Sequence, residues 1–269
     1  MEPLTFASFL LLSLSFLSLW IRRDPKIWAS LLVVSLICAF WAGNILWIGL
    51  LFIALLATLW LFHAKRPLII TFIALTLTTL IFKLHFLPGF PPIPFTAKFH
   101  IGFSGALIGL FPLALLVPLS RTARDWKKVL QGFGLGCAGI GVLAILATLA
   151  DVTHWDFKLP SFMIERSWSN LFLACIPEEG FYRGFLQRGL SRYFHETRKG
   201  HIAALLITSI IFTFAHIFWS PDVATLGFVF LASLLYGGVY IASGKIESAI
   251  LTHFLLNLVH MTFFEYHAM

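Results

Sequence analysis

Long runs of apolar residues follow one another along almost the whole chain, and they limit the fold more than any other feature of the sequence. We find about ten of them, most of roughly the 17–22 residues that an α-helix needs to cross a bilayer. They lie near residues 5–21, 27–43, 45–63, 67–87, 105–119, 129–150, 169–190, 201–219, 224–242 and 249–266. The sequence therefore predicts an all-α polytopic integral membrane protein with about ten transmembrane helices.

The composition excludes a soluble globular fold. Hydrophobic residues make up 59% of the 269 residues and charged residues 12%, whereas ordinary soluble domains carry about a quarter charged residues. In lipid the backbone has to satisfy its own hydrogen bonds, which leaves helices or closed barrels as spanning structures. The runs are continuous rather than alternating, and this pattern favours helices over a barrel.

The distribution of basic residues predicts the orientation. The formal net charge is +7, but lysine and arginine lie mostly in short loops between the apolar runs, and we recognise no nucleic-acid-binding motif. With the N-terminus outside, fourteen of the nineteen Lys and Arg residues fall in inner loops, as the positive-inside rule requires. We expect the chain in the cell (inner) membrane of a bacterium or archaeon, with membrane lipid and no nucleic acid as partner.

Ionisable residues inside apolar runs concentrate in the last four runs, and the strongest cluster is Glu178, Glu179 and Arg183. Each such residue costs about 2.5–3.5 kcal/mol on insertion scales, so it marks function more reliably than it would in water. On a helix, Glu179 and Arg183 share a face and can form an ion pair, while Glu178 points about 100° away. Glu178 is then a candidate general base. A structural Glu–Arg pair and a proton relay in a transporter are the alternative interpretations.

Two further polar sites follow in later runs. His216 closes the stretch Phe212–His216, and His253 is followed by Asn257 four residues later. The four-residue spacing puts His253 and Asn257 on one helix face, where both can donate hydrogen bonds to a developing oxyanion. Each of these residues taken alone is equally compatible with polar contacts that hold helices together.

Taken together, these groups suggest hydrolysis. A carboxylate and an imidazole that share a water molecule can activate it for attack on a carbonyl, and a second imidazole with an amide can stabilise the oxyanion. Two His and one Glu also form a known zinc-ligand set, so zinc at Glu178, His216 and His253 is the alternative to a site without a cofactor.

The three motifs resemble those of the CPBP family, which comprises CAAX-processing and bacteriocin-processing intramembrane proteases related to the Ras-converting enzyme. The resemblance covers about residues 165–265, and the stretch 235–246 before the third motif is also similar. It implies a glutamate-dependent endopeptidase in which Glu178 and His216 activate water and His253 with Asn257 forms the oxyanion site. It further implies that Glu179 and Arg183 support the first catalytic helix.

The resemblance also predicts how the chain is divided. Residues 151–269 are expected to form a CPBP-like catalytic helix bundle, and residues 1–150 contribute N-terminal transmembrane helices whose role the motifs do not assign. The expected substrate is a membrane-associated peptide or protein with a prenylated terminus or a leader segment. A proton-coupled transporter, and a non-catalytic immunity or scaffold protein of the same fold, remain as alternatives.

Overall fold

A computed structural model describes residues 2–84, 87–96, 99–159, 162–218 and 222–264. The chain forms two compact units. The first unit comprises Met1–Leu119 and Phe172–Phe181, and the second comprises Ser120–Leu171 and Tyr182–Met269. These are units of packing, so the predicted functional division near residue 150 stays a prediction.

Helices dominate the described part of the chain, as the apolar runs predict. In the first unit they are α1 (Pro3–Ile21), α2 (Pro25–Trp41), α3 (Trp47–Lys65), α4 (Ile69–Lys83), α5 (Phe103–Leu107), α6 (Leu110–Leu115) and α9 (Ile176–Phe181). In the second unit they are α7 (Ala123–Leu149), α8 (Met163–Ser169), α10 (Arg188–Tyr193), α11 (Arg198–Phe214), α12 (Val223–Ser243) and α13 (Ile246–Phe263).

Five of these helices are long and apolar enough to cross a bilayer: α1, α3, α7, α12 and α13. Three shorter apolar stretches, Pro25–Trp41, Ile69–Lys83 and Phe103–Leu115, fall below that length. A multi-pass membrane protein built of helices fits these findings. The total of ten spans and the outward N-terminus stay predictions.

The predicted run 105–119 is not one helix. It is broken between α5 and α6 at Ile108 and Gly109, and a Cβ built on Gly109 would overlap the backbone of Pro177 in α9. Such a close approach of two backbones is possible only because glycine has no side chain. The break therefore positions α9, which carries the two adjacent glutamates.

Arg23 provides hydrogen-bond donors for backbone carbonyls at the C-terminal end of the short helix α6. Its guanidinium donates to the carbonyl oxygens of Leu113, Ala114 and Val117 over 2.6–2.8 Å. The last carbonyls of any helix lack partners within the helix, and in an apolar setting each unsatisfied group costs several kcal/mol. Arg23 is one of the fourteen basic residues that the sequence places in inner loops, and in the structure it caps α6.

A small antiparallel β-hairpin lies before α5. The all-helical prediction did not include this hairpin. Strand β1 (Ile93–Thr96) pairs with β2 (Phe99–Ile101), with Ile93 opposite Ile101. Prolines crowd the segment just before and within β1, and proline disrupts a regular helix because it lacks the N–H donor.

Two π-helical segments interrupt the predicted run 169–190. Asn170–Cys175 precedes α9, and Tyr182–Gln187 follows it. Pro177 cannot donate to the carbonyl four residues earlier and its ring crowds that carbonyl, which accounts for a widened turn just before it. Single π turns of this kind are frequent at functional sites.

Helix α7 packs against α12 and α13 in the second unit through glycines on one face. A Cβ on Gly132 would meet Ser243 and Ser248, and one on Gly136 would overlap Thr252 of α13. Small residues at such positions let membrane helices approach closely. The α7 surface is thus fitted to α13, the helix that carries His253 and Asn257.

We predict that Gly136→Ala destabilises the protein, whereas Gly134→Ala does not. Gly134 has no atom within 4 Å of a built Cβ, so it is a matched control on the same helix. Overpacking of a tight contact typically costs about 1–3 kcal/mol, while alanine favours a helix over glycine by about 1 kcal/mol. Thermal unfolding in detergent micelles measures the difference; equal melting temperatures for the two variants would contradict the close α7–α13 contact.

Candidate active site

Glu178 and Glu179 lie on α9 in the first unit, and both side chains are buried. Glu178 is 5% exposed and Glu179 is fully buried. Helix α9 packs against α5 and α6, and a Cβ on Gly180 would meet the Gly109 carbonyl and Leu113. The two carboxylates are therefore held by a helix that tight backbone packing fixes in place.

Lys83 forms an ion pair with Glu178. Its Nζ contacts Oε1 of the glutamate, and the lysine side chain is 20% exposed. Lys83 occupies the last turn of α4. The motifs predicted from the sequence did not include Lys83, although a lysine near the end of an apolar run is a costly residue that calls for a partner.

Arg183 lies in the second unit, fully buried on the π-helical segment Tyr182–Gln187. One of its terminal nitrogens donates to the carbonyl oxygen of Ser233 at 2.8 Å and to the Ser233 hydroxyl at 2.7 Å. Its guanidinium also lies 4.9 Å from the ring centre of Phe212 and 5.3 Å from that of Tyr236. Arginine suits such a setting because its planar group can stack and hydrogen bond at once.

The predicted ion pair between Glu179 and Arg183 stays a prediction. Glu179 belongs to the first compact unit and Arg183 to the second. What the second unit adds is a set of partners for Arg183, namely Ser233, Phe212 and Tyr236, that the sequence did not predict.

His216 follows the end of α11, in the turn after Phe214. Its Nδ1 is 2.7 Å from the carbonyl oxygen of Phe212. A carbonyl can only accept, so Nδ1 carries the proton and in the neutral ring Nε2 carries the lone pair. This tautomer is the one that a general base needs if it acts through Nε2.

His253 lies in the middle of α13, with its ring fixed by aromatic neighbours. It stacks on Tyr236, with ring centres 4.5 Å apart and an interplanar angle of 15°. Phe212 packs edge-on against His253 at 6.1 Å and stacks on His216 at 4.3 Å. The two imidazoles therefore share Phe212 as a common neighbour.

The predicted runs 201–219 and 249–266 cross the membrane in the same direction, so they place His216 near the outer side and His253 near the inner side. The structure removes this conflict because α13 begins at Ile246, which places His253 two turns inside the helix. Arg183, His216 and His253 thus gather around Phe212 in the second unit. This gives the motif Phe212–His216 a physical basis, because its first residue, Phe212, packs against Arg183, His216 and His253.

Asn257 is one turn after His253 on α13. Its side-chain amide is hydrogen bonded to that of Asn170 over 2.9 Å. Asn170 begins the π-helical segment Asn170–Cys175 and was not among the residues predicted from the sequence. The signal in the sequence that could have identified Asn170 is its position, because it is a polar residue at the start of the run that carries the glutamates.

The residues that the structure describes do not form a recognisable metal centre. Among the residues that it describes, no group of three or more His, Cys, Asp and Glu side chains is arranged so that it could hold a metal ion. Zinc at Glu178, His216 and His253 stays the alternative to a site without a cofactor.

Comparison with protein families identifies the segment that carries these residues. Residues 160–259 match the family model "Type II CAAX prenyl endopeptidase Rce1-like". This segment is an Rce1-like domain. It contains all six candidate site residues, and it confirms the predicted resemblance to the CPBP proteases.

The match indicates a membrane peptidase of the CAAX-processing type. Residues before 160, among them Lys83, lie outside the Rce1-like domain. No curated protein and no solved structure was found to match the chain.

We predict that Arg183→Lys destabilises the Rce1-like domain while Arg192→Lys does not. Lysine keeps the charge of Arg183 but loses the planar group that bonds Ser233 and stacks on the aromatic rings. Hydrogen bonds of charged groups contribute about 1.5–3 kcal/mol, and a loss of this size is expected in the free energy of unfolding. The Arg192 side chain is 60% exposed, so its replacement should change stability by less than about 0.5 kcal/mol.

Thermal unfolding of both variants in the same detergent measures this difference. Equal melting temperatures for Arg183→Lys and the unmodified protein would mean that the Ser233 and aromatic contacts contribute nothing to stability.

Proposed function

We propose that the protein is an intramembrane endopeptidase that hydrolyses a peptide bond in a membrane-associated substrate. The observation that carries the proposal is the family match over residues 160–259, which includes Glu178, His216, His253 and Asn257. The burial of Glu178 and His253 supports it, because polar groups are kept in apolar surroundings mainly where they function.

In the proposed reaction, Glu178 and His216 together activate a water molecule. The water oxygen bonds to the scissile carbonyl carbon while its proton passes to this base. The carbonyl electrons move onto the oxygen, and His253 and Asn257 donate hydrogen bonds to the resulting oxyanion. When the C–N bond breaks, the proton goes to the leaving amine, so the products are a carboxylic acid and an amine.

The tautomer of His216 supports its part in this reaction. With Nδ1 bonded to the Phe212 carbonyl, Nε2 is the nitrogen that accepts a proton. The Phe212 ring stacked on the imidazole restricts its rotation, and a fixed base loses less entropy in the transition state.

The packing of α13 supports the proposed oxyanion site. His253 is held flat against Tyr236, and the Asn257 amide is oriented by Asn170. Donors that are fixed before the reaction stabilise developing charge without reorganisation. Glu179 and Arg183 are proposed to support the helix that carries Glu178.

For the substrate, we propose a membrane-anchored peptide, either a prenylated terminus or a leader-type segment. The matching family is that of CAAX prenyl endopeptidases, which favours the prenylated class. Apolar helices around the buried polar groups suit a substrate that arrives from lipid rather than from water.

We predict that Glu178→Gln abolishes cleavage of a fluorogenic, membrane-anchored peptide in liposomes. The amide has nearly the same shape but cannot accept a proton, and general base catalysis contributes about 10²–10⁴-fold. Glu165→Gln is the matched control, because Glu165 is exposed at the start of α8 and its replacement should leave the rate unchanged.

Retention of the full rate by Glu178→Gln would overturn the glutamate mechanism. If the unmodified protein yields no peptide product by mass spectrometry but moves a solute in a pH-dependent way, a proton-coupled transporter would replace the peptidase. If it shows neither property, a non-catalytic immunity or scaffold role would replace it.

We propose that the hydrolysis needs no metal, and predict that chelators leave the rate within about twofold of the untreated value. A zinc-activated water would be lost on removal of the ion, with the rate falling toward background. The measurement is the cleavage rate after dialysis against EDTA and 1,10-phenanthroline, with and without added Zn²⁺. A rate that falls on chelation and returns with Zn²⁺ would favour zinc at Glu178, His216 and His253.

A further inference from the structure

Lys83 lies outside the family match and contacts a proposed catalytic group, Glu178. It belongs to α4, far from residues 160–259 in the sequence, yet within the first unit its ammonium pairs with the Glu178 carboxylate. The glutamate is nearly fully buried and the lysine is largely buried. The long, flexible side chain of lysine can extend toward polar surroundings, but that of Lys83 pairs with a buried carboxylate.

The packing of the first unit explains how the two residues meet. Helix α5 packs against both α4 and α9, and the Gly109 backbone lies directly against Pro177, the residue before Glu178. Lys83 at the end of α4 and Glu178 on α9 are thus held by a common neighbour. Their contact follows from the fold of this unit rather than from local sequence.

A buried carboxylate beside an ammonium differs in two ways from a buried carboxylate alone. Burial without a partner favours the neutral acid, which cannot act as a base, whereas an adjacent positive charge favours the ionised form. A charge-assisted hydrogen bond also restricts the orientation of the carboxylate.

We propose that Lys83 is a positioning residue for the peptidase reaction. Its ammonium pairs with Oε1 of Glu178 and so holds the carboxylate ionised and in a fixed orientation. This proposal rests on the function proposed above. It gives the N-terminal helices a defined task, because the ammonium that pairs with Glu178 comes from α4, outside the Rce1-like domain.

The first test measures kcat and KM for Lys83→Met and Lys83→Arg with the same anchored peptide. Methionine keeps most of the side-chain length without the charge, and we expect kcat to fall about tenfold or more while KM changes less than about twofold. A neighbouring opposite charge changes the ionisation equilibrium of a carboxyl group by roughly ten- to a thousandfold. Lys83→Arg keeps the charge and should recover a substantial part of kcat.

Lys158→Met is the matched control. Lys158 also pairs with a carboxylate, Asp156, but in the exposed segment that precedes α8, and this pair is 2.9 Å long. Exposed ion pairs contribute little to stability, and Asp156 has no part in the proposed reaction. Kinetic constants of this variant should equal those of the unmodified protein.

A chemical rescue separates the charge from the packing. In a background where Cys38, Cys137 and Cys175 are replaced by alanine, Lys83→Cys is treated with 2-bromoethylamine in detergent, which restores an ammonium on a side chain of lysine length. We expect kcat to rise at least fivefold on this treatment, whereas methyl methanethiosulfonate, which adds a neutral group, should have no such effect.

The outcomes distinguish this proposal from the function on which it rests. No cleavage by the unmodified protein would overturn both. Cleavage that requires Glu178 but is unchanged in Lys83→Met would overturn only the role of Lys83. A loss in Lys83→Met that neither arginine nor the alkylated cysteine repairs would assign Lys83 a structural role and would also overturn the proposal.

Discussion

The cost of placing polar groups in apolar surroundings governs this structure. A backbone carbonyl or a charge without a partner costs several kcal/mol where water is absent, so such groups occur together with their partners. Arg23 satisfies the carbonyls left by the short helix α6, and Arg183 is surrounded by Ser233 and aromatic rings. Pairing of Glu178 with Lys83 follows the same rule.

Close backbone packing provides the rigidity that the proposed site requires. In the first unit, Gly109 allows the α5–α6 break to lie against Pro177, and so fixes the helix of the two glutamates. In the second unit, Gly136 allows α7 to lie against α13, which carries His253 and Asn257. Both contacts depend on the absence of a side chain at one position. Reacting groups must be held within about half an ångström of the productive geometry to be effective, and tight helix contacts favour such rigidity.

The apolar runs predicted the helices well, since most observed boundaries lie within a few residues of the expected ones. The runs 105–119 and 169–190 were less accurate. The first is divided at Ile108 and Gly109, and the second contains two π-helical segments around α9. Hydropathy averages over many residues and cannot register a break that depends on a single tertiary contact. For the same reason the sequence could not predict that Phe212 would order His216 and His253.

The sequence by itself determined the membrane class, the helical fold and the six candidate residues, because mean hydropathy and motif order are properties of the chain alone. The family match over residues 160–259 confirmed the family from the same information. Only the tertiary structure decided which partners these residues have: Lys83 for Glu178, Ser233 for Arg183, Tyr236 for His253 and Asn170 for Asn257. Each of these partners is more than 10 positions away in the chain, and contacts of that kind arise from packing between elements, for which local spacing holds no signal.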